Sequence, residues 1–288
     1  MEERFIDANG IRFATFEEGP ADGPLALLLH GFPDTPHGWA PLMAVLAKRG
    51  FRVVAPFTRG YAPTAAPPGP TSVETLAADA LALIEALGHE RASLLVGHDW
   101  GAATAYVAAS IAPERVERLV TVGIPHPAVL KPSLSLLWAA RHFISLNLPG
   151  AARRTRRRDF AAIDAYYRRW SPTWDFGPEE TAPVKAAFAD PASLEAAIDY
   201  YRGARGGSSA SGLRGTTITM PTLTIAGADD PSVAIEAYEA ARRKFTSDYT
   251  VVALPGGHFV HRESPAEFCD AVSAFLGPAQ PRPTATAP

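Results

Sequence analysis

The stretch Leu94-Leu95-Val96-Gly97-His98-Asp99-Trp100-Gly101-Ala102-Ala103 constrains this chain more than any other. A short apolar run ends at a glycine, one acidic residue stands between Gly97 and Gly101, and an alanine-rich helical sequence begins at once. The pattern predicts a buried strand, a sharp turn and a helix. Glycines on both sides leave room for a strained turn that lifts one side chain above the sheet. The spacing is that of a Gly-x-Ser-x-Gly turn with aspartate in place of serine. An aspartate directly before a helix can also be no more than an N-cap, so the rest of the chain has to decide.

At 288 residues the chain can bury a large core, and it fits one α/β domain carrying an insertion better than two independent domains. A net charge of -3 gives no reason to expect nucleic acid or an anionic membrane as a partner, and leaves the oligomeric state open. Met1-Glu2-Glu3-Arg4 is charged rather than apolar, and no apolar run approaches the ~18 residues of a membrane span, so a cytoplasmic location is expected. The single cysteine, Cys269, reads as a small buried helix residue, and no Cys or His spacing indicates a metal.

Residues 4–7 and 11–17, joined through Ala8-Asn9-Gly10, are expected to form a hairpin, because Asn-Gly supplies the two positive φ values of a tight turn. Strands are expected over 25–29, 52–55, 92–96, 119–122, 222–226 and 249–254, and helices over 39–48, 72–87, 100–111, 235–244 and 266–276. Such alternation implies a mostly parallel, doubly wound sheet covered on both faces. It stops near Ile124-Pro125-His126-Pro127 and resumes after residue 215. The expected organisation is a core over 1–127, a helical cap over 128–215, the rest of the core over 216–277 and a disordered tail over 278–288. Within the cap, Arg153, Arg154, Arg156, Arg157 and Arg158 read as a solvated helix face, and Trp138, Trp170 and Trp174 as cap core.

Loops at the strand ends on one side of such a sheet can gather catalytic groups. His30-Gly31-Phe32-Pro33, Asp99, Gly227-Ala228-Asp229-Asp230-Pro231 and Gly256-Gly257-His258-Phe259 all follow expected strands, and the last three give the order nucleophile, acid, histidine. A carboxylate with a pKa near ~4 is already an anion at neutral pH and needs no base in order to attack. It suits displacement at a saturated carbon that carries a strained or good leaving group, as in epoxides and alkyl halides. With Arg59-Gly60-Tyr61 and Pro125-His126-Pro127, these motifs resemble the epoxide hydrolase and haloalkane dehalogenase group of α/β-hydrolases, and epoxide hydrolases most. The resemblance runs from about residue 5 to 276 and covers the cap only in pieces.

The resemblance implies a cofactor-independent hydrolase with the α/β-hydrolase fold, an inserted cap and a small apolar substrate. It makes Asp99 the nucleophile, His258 the general base and Asp230, rather than the adjacent Asp229, the acid that orients it. The backbone N–H groups of Phe32 and Trp100 become the oxyanion hole. Epoxide hydrolases resemble one another in protonating the leaving alkoxide from two cap tyrosines. Tyr201, in Asp199-Tyr200-Tyr201-Arg202, matches one of these, and His142 falls where the other would stand. Trp100, Phe32 and Tyr200 are expected against the substrate. The pairing of His142 with a later Tyr-Arg is also similar to fluoroacetate dehalogenases. Those enzymes carry arginines directly after the nucleophile and three residues on, where this chain has Trp100 and Ala103. Phe32 likewise departs from the asparagine or acid that haloalkane dehalogenases often have after His-Gly. Carbon–halogen hydrolysis is thus the second reading, and a binding module on an inactive hydrolase scaffold the third. His30, His98 and His126 are expected to be structural, and His37, His89 and His261 carry no functional expectation.

Overall fold

The computed structural model describes residues 2–67, 69, 71–129, 141–204 and 216–278. Its strands are β1 (Glu2–Ala8), β2 (Ile11–Glu18), β3 (Leu25–Leu29), β4 (Arg52–Pro56), β5 (Leu94–His98), β6 (Leu119–Val122), β7 (Thr222–Gly227) and β8 (Tyr249–Leu254). Its α-helices are α1 (Ala40–Lys48), α2 (Val73–Ala86), α3 (Trp100–Ile111), α4 (Arg141–Asn147), α5 (Ala151–Thr155), α6 (Arg157–Trp170), α7 (Pro178–Ala189), α8 (Pro191–Gly203), α9 (Ile235–Ala240), α10 (Val260–Glu263) and α11 (Pro265–Leu276).

The strands form one sheet in the order β1-β2-β4-β3-β5-β6-β7-β8. β1 and β2 pair antiparallel around Asn9 and Gly10, whose φ values of 46° and 71° are those the turn requires. β2 meets β4 antiparallel, and every pairing from β4 to β8 is parallel. Helices cover both faces. Leu42, Met43 and Leu46 of α1 pack with Phe268 and Val272 of α11 on one side, and Leu83 and Ile84 of α2 pack with Ala105 of α3 on the other. The central strands β3, β5, β6 and β7 are buried throughout, which is why Leu, Val, Ile, Ala and Thr dominate them and no acidic residue, Lys or Arg occurs in them.

The chain steps from β3 to β4 on one side and then crosses back to β5 on the other. That reversal opens a crevice at the carboxyl ends of β3 and β5, where the loops carrying Phe32 and Asp99 begin. Helices α4 to α8 come between β6 and β7 in the chain and lie over this crevice. They are seated on it by an apolar cluster that joins Phe32, Tyr61 and Phe259 to Ile163, Tyr167, Trp170, Phe188 and Tyr201. Each large side chain of that cluster contributes about 1.5–3 kcal/mol on burial. The tie is polar as well: Tyr200 donates to the Arg59 carbonyl at 2.6 Å and Tyr167 to the Pro33 carbonyl at 3.0 Å.

The arginine run departs from the single helix face expected of it. Arg153, Arg154, Arg157 and Arg158 are exposed, but Arg158, Asp159 and Phe160 take φ values of 52°, 52° and 56°, so the backbone turns a corner there. Two donors that precede the corner serve other helix ends. Arg154 bonds the carbonyls of Ser145 and Leu148, and Arg156 that of Ala189, where helical C-termini leave acceptors unsatisfied. Trp138 and residues 279–288 of the expected tail lie outside the described residues. No helix among the described residues is long and apolar enough to cross a membrane.

Candidate active site

Asp99 sits at the tip of the turn between β5 and α3 with φ 51° and ψ -115°, a conformation that costs a non-glycine residue about 1–3 kcal/mol. Neighbouring backbone approaches so closely that only glycine fits on either side. A Cβ on Gly97 would stand 2.2 Å from the Gly101 carbonyl oxygen, and one on Gly101 would stand 2.1 Å from that of Leu29. The N-cap alternative is excluded, because the Asp99 side chain makes no capping hydrogen bond to α3. Its Oδ1 accepts instead from the Phe32 N–H at 2.9 Å, across the crevice from the end of β3. The Trp100 N–H follows Asp99 directly and is one of the first amides of α3, which have no acceptor within the helix.

His258 faces the other carboxylate oxygen. Its Nε2 lies 3.5 Å from Asp99 Oδ2, and its Nδ1 lies 2.9 Å from Asp230 Oδ2. Asp230 is fixed in turn by the Ser232 N–H at 2.7 Å. Asp229 points elsewhere and accepts from the Gly256 N–H at 3.3 Å, so the two adjacent acids are separated by geometry. Burial presses the His258 pKa down, but the charges and hydrogen bonds of Asp230 and Asp99 outweigh it and raise the value from 6.5 to about 10. The resting imidazole is therefore a cation held between two carboxylates.

A pH dependence of stability follows. A pKa raised from 6.5 to about 10 on folding gives stabilisation that is complete below pH 6.5 and is lost as the pH climbs toward 10. Thermal melts of wild type and His258→Gln should show the wild-type advantage shrinking across that window. Parallel curves would remove the ion pair from the account.

Tyr201 and His142 meet, with ring centroids 5.5 Å apart, and Tyr201 lies edge-on to Phe32 at 5.2 Å and to Trp100 at 5.3 Å. Burial and the nearby Asp99 charge push the Tyr201 pKa well up, so its hydroxyl keeps its proton. Tyr200 reaches the site only through its ring, 5.8 Å from Trp100, since its hydroxyl is spent on Arg59. His30, His98 and His126 are buried. His30 accepts from the Thr58 N–H at 3.0 Å, and His98 Nε2 bonds the His258 carbonyl at 3.0 Å. Burial lowers the pKa of His30 and His126 to about 4, and burial with the neighbouring His261 and His258 holds that of His98 well below its ordinary value.

Other residues here carried no sequence signal of their role. Trp170 was expected only in the core of the inserted helices, yet its ring lies 5.5 Å from that of His258, and its carbonyl accepts the His258 N–H at 2.9 Å. Arg262 joins three parts of the site. It donates to Asp34 Oδ1 at 2.9 Å, to the Tyr167 hydroxyl at 2.7 Å and to the Glu180 carbonyl at 2.7 Å. An acid immediately after Phe32-Pro33 was the one available hint of that tie. Asp34, His98 and His261 also bring ligand-type atoms within 4.8 Å of one another. The Arg262 guanidinium already neutralises Asp34, which disfavours a second cation there.

The model of the alpha/beta hydrolase fold family matches residues 24–265. An AB hydrolase superfamily protein of Bacillus subtilis is 32% identical over 272 residues, spanning 91% of this chain and 93% of that one. Epoxide hydrolase A of Mycobacterium tuberculosis is 28% identical over 314 residues, 95% of this chain and 97% of its own. The crystal structure of Epoxide Hydrolase A from Mycobacterium thermoresistibile superposes with a TM-score of 0.77 at 28% identity, covering 97% of this chain and 99% of that one.

Proposed function

The chain belongs to the α/β hydrolase fold family and is an epoxide-hydrolase-like hydrolase, and from that premise we propose that it opens epoxides to diols through a covalent ester on Asp99, without a cofactor. The observation that carries this reading is the placement of one carboxylate between an N–H donor and a base. Phe32 N–H holds Asp99 Oδ1, and His258 Nε2 faces Oδ2. Residues 128–215 act as the cap that closes over the substrate.

In the first step Asp99 Oδ2 attacks an oxirane carbon and the ring C–O bond breaks. The alkoxide takes a proton from Tyr201, with His142 beside it as the second donor. Asp99 is now a neutral ester, and its charge no longer raises the His258 pKa. The histidine gives up its proton, which passes through solvent to restore the Tyr201 hydroxyl, and becomes a base, still aligned by Asp230. It then takes a proton from water as the water oxygen adds to the ester carbonyl. The Phe32 N–H, with that of Trp100, stabilises the oxyanion on Oδ1. Collapse breaks the ester bond, the departing alkoxide takes the remaining carboxyl proton, and release of the diol restores the Asp99 carboxylate.

The test is a single turnover in heavy-oxygen water with enzyme in excess. The label should enter the Asp99 carboxylate and not the first diol released, because the diol takes its new oxygen from Asp99. Label in the first diol would mean direct attack by water and would end the ester mechanism.

A further inference from the structure

Arg169, the next-to-last residue of α6, differs from the other arginines that meet this site. Arg59 is held by Asp79, and Arg262 by Asp34 and Glu180. The Arg169 guanidinium lies instead over the rings of Tyr166 and Trp170, its Cζ 5.3 Å and 5.1 Å from their centroids. Its Nε and Nη2 are buried and have no hydrogen-bond partner among the described residues. Burial and the Arg141 charge press its pKa down, whereas only the Tyr166 and Tyr201 hydroxyls act the other way. No carboxylate is among these groups.

The rings beneath it belong to the active site. Tyr166 lies 5.8 Å from Phe32, and Trp170 lies 4.8 Å from His142 and 5.5 Å from His258, centroid to centroid. Buried N–H groups of a cation that lack an acceptor are costly, and a ligand that brings the acceptor recovers that cost. The planar fork of an arginine matches the two oxygens of a carboxylate.

We propose that Arg169 anchors a carboxylate on the substrate, so that the favoured substrate is an epoxide bearing an acid group at the far end of a short apolar chain. This rests on the epoxide reading above. The carboxylate accepts from Nε and Nη2 beside Tyr166 and Trp170, and the chain lies along the aromatic wall so that the oxirane reaches Asp99 and Tyr201. The anchor is on the inserted helices and not behind the nucleophile, where the chain has Trp100 and Ala103.

Two measurements test the anchor apart from the chemistry. In calorimetric titrations of Asp99→Asn protein, octanoate should bind at least tenfold tighter than octanol, and adding Arg169→Met should erase that margin. In turnover of an epoxyalkanoate and its methyl ester, the acid-to-ester ratio of kcat/KM should fall tenfold or more in Arg169→Met, with Arg169→Lys between the two. If neither epoxide is opened but octanoate binding still depends on Arg169, the anion site stands and the epoxide reading fails. If the octanoate margin and the acid-to-ester ratio are both unchanged in Arg169→Met, the anchor is overturned.

Discussion

Mixed with an epoxide, His258→Gln should gain the mass of one substrate molecule and keep it. Asp99 needs no base to attack, and its Oδ1 stays held by Phe32 whether or not the imidazole is present. Ring opening therefore survives the change. Ester hydrolysis does not, because glutamine cannot take a proton from water, and a positioned general base contributes about 10²- to 10⁴-fold. That range corresponds to about 3–5 kcal/mol on the barrier of the second step. Intact-protein mass spectrometry should show the adduct, and peptide mapping should place it on the segment containing Asp99. Unmodified protein with full turnover would remove His258 from the mechanism. The same substitution removes a cation from between two carboxylates, so adduct formation is best compared with wild type at one pH below 6.5, where the wild-type ion pair is complete.

What the sequence makes legible here is local. Gly97 and Gly101 announce the turn at Asp99 because the backbone contacts that demand glycine are made within a few residues and against the neighbouring strand. Strands β3 and β5 stand out because both faces are covered, so Leu25–Leu29 and Leu94–Val96 are apolar throughout. The choice between Asp229 and Asp230 is of another kind. Both occupy the same loop, and only the direction of each side chain, set by the Ser232 and Gly256 amides, tells them apart. Residues joined over long separations stay hidden altogether. Arg262 and Asp34 are 228 positions apart, and neither advertises the other. The same holds for Trp170 against His258, and for Arg154 and Arg156, whose acceptors are carbonyls elsewhere in the inserted helices.

Tyr201→Phe should separate an epoxide leaving group from a halide one. An alkoxide is a poor leaving group, and losing its proton donor should slow ring opening by about 10²- to 10⁴-fold. A halide departs without a proton and uses only a hydrogen bond, so the same change should cost a dehalogenation about 1–3 kcal/mol. The hydroxyl is suited to the first task, since burial and the Asp99 charge hold its proton on and the Phe32 and Trp100 rings fix its direction. His142 packs against the same ring and supplies part of the lost donation in the single variant. The double change with His142→Phe should therefore abolish epoxide opening where Tyr201→Phe only reduces it. The measurement is the single-turnover rate at which Asp99 is alkylated by an epoxide in wild type and in both variants. If Tyr201→Phe alkylates at the wild-type rate, Tyr201 is not the acid, and the second reading, carbon–halogen hydrolysis on the same aspartate, gains what the epoxide reading loses.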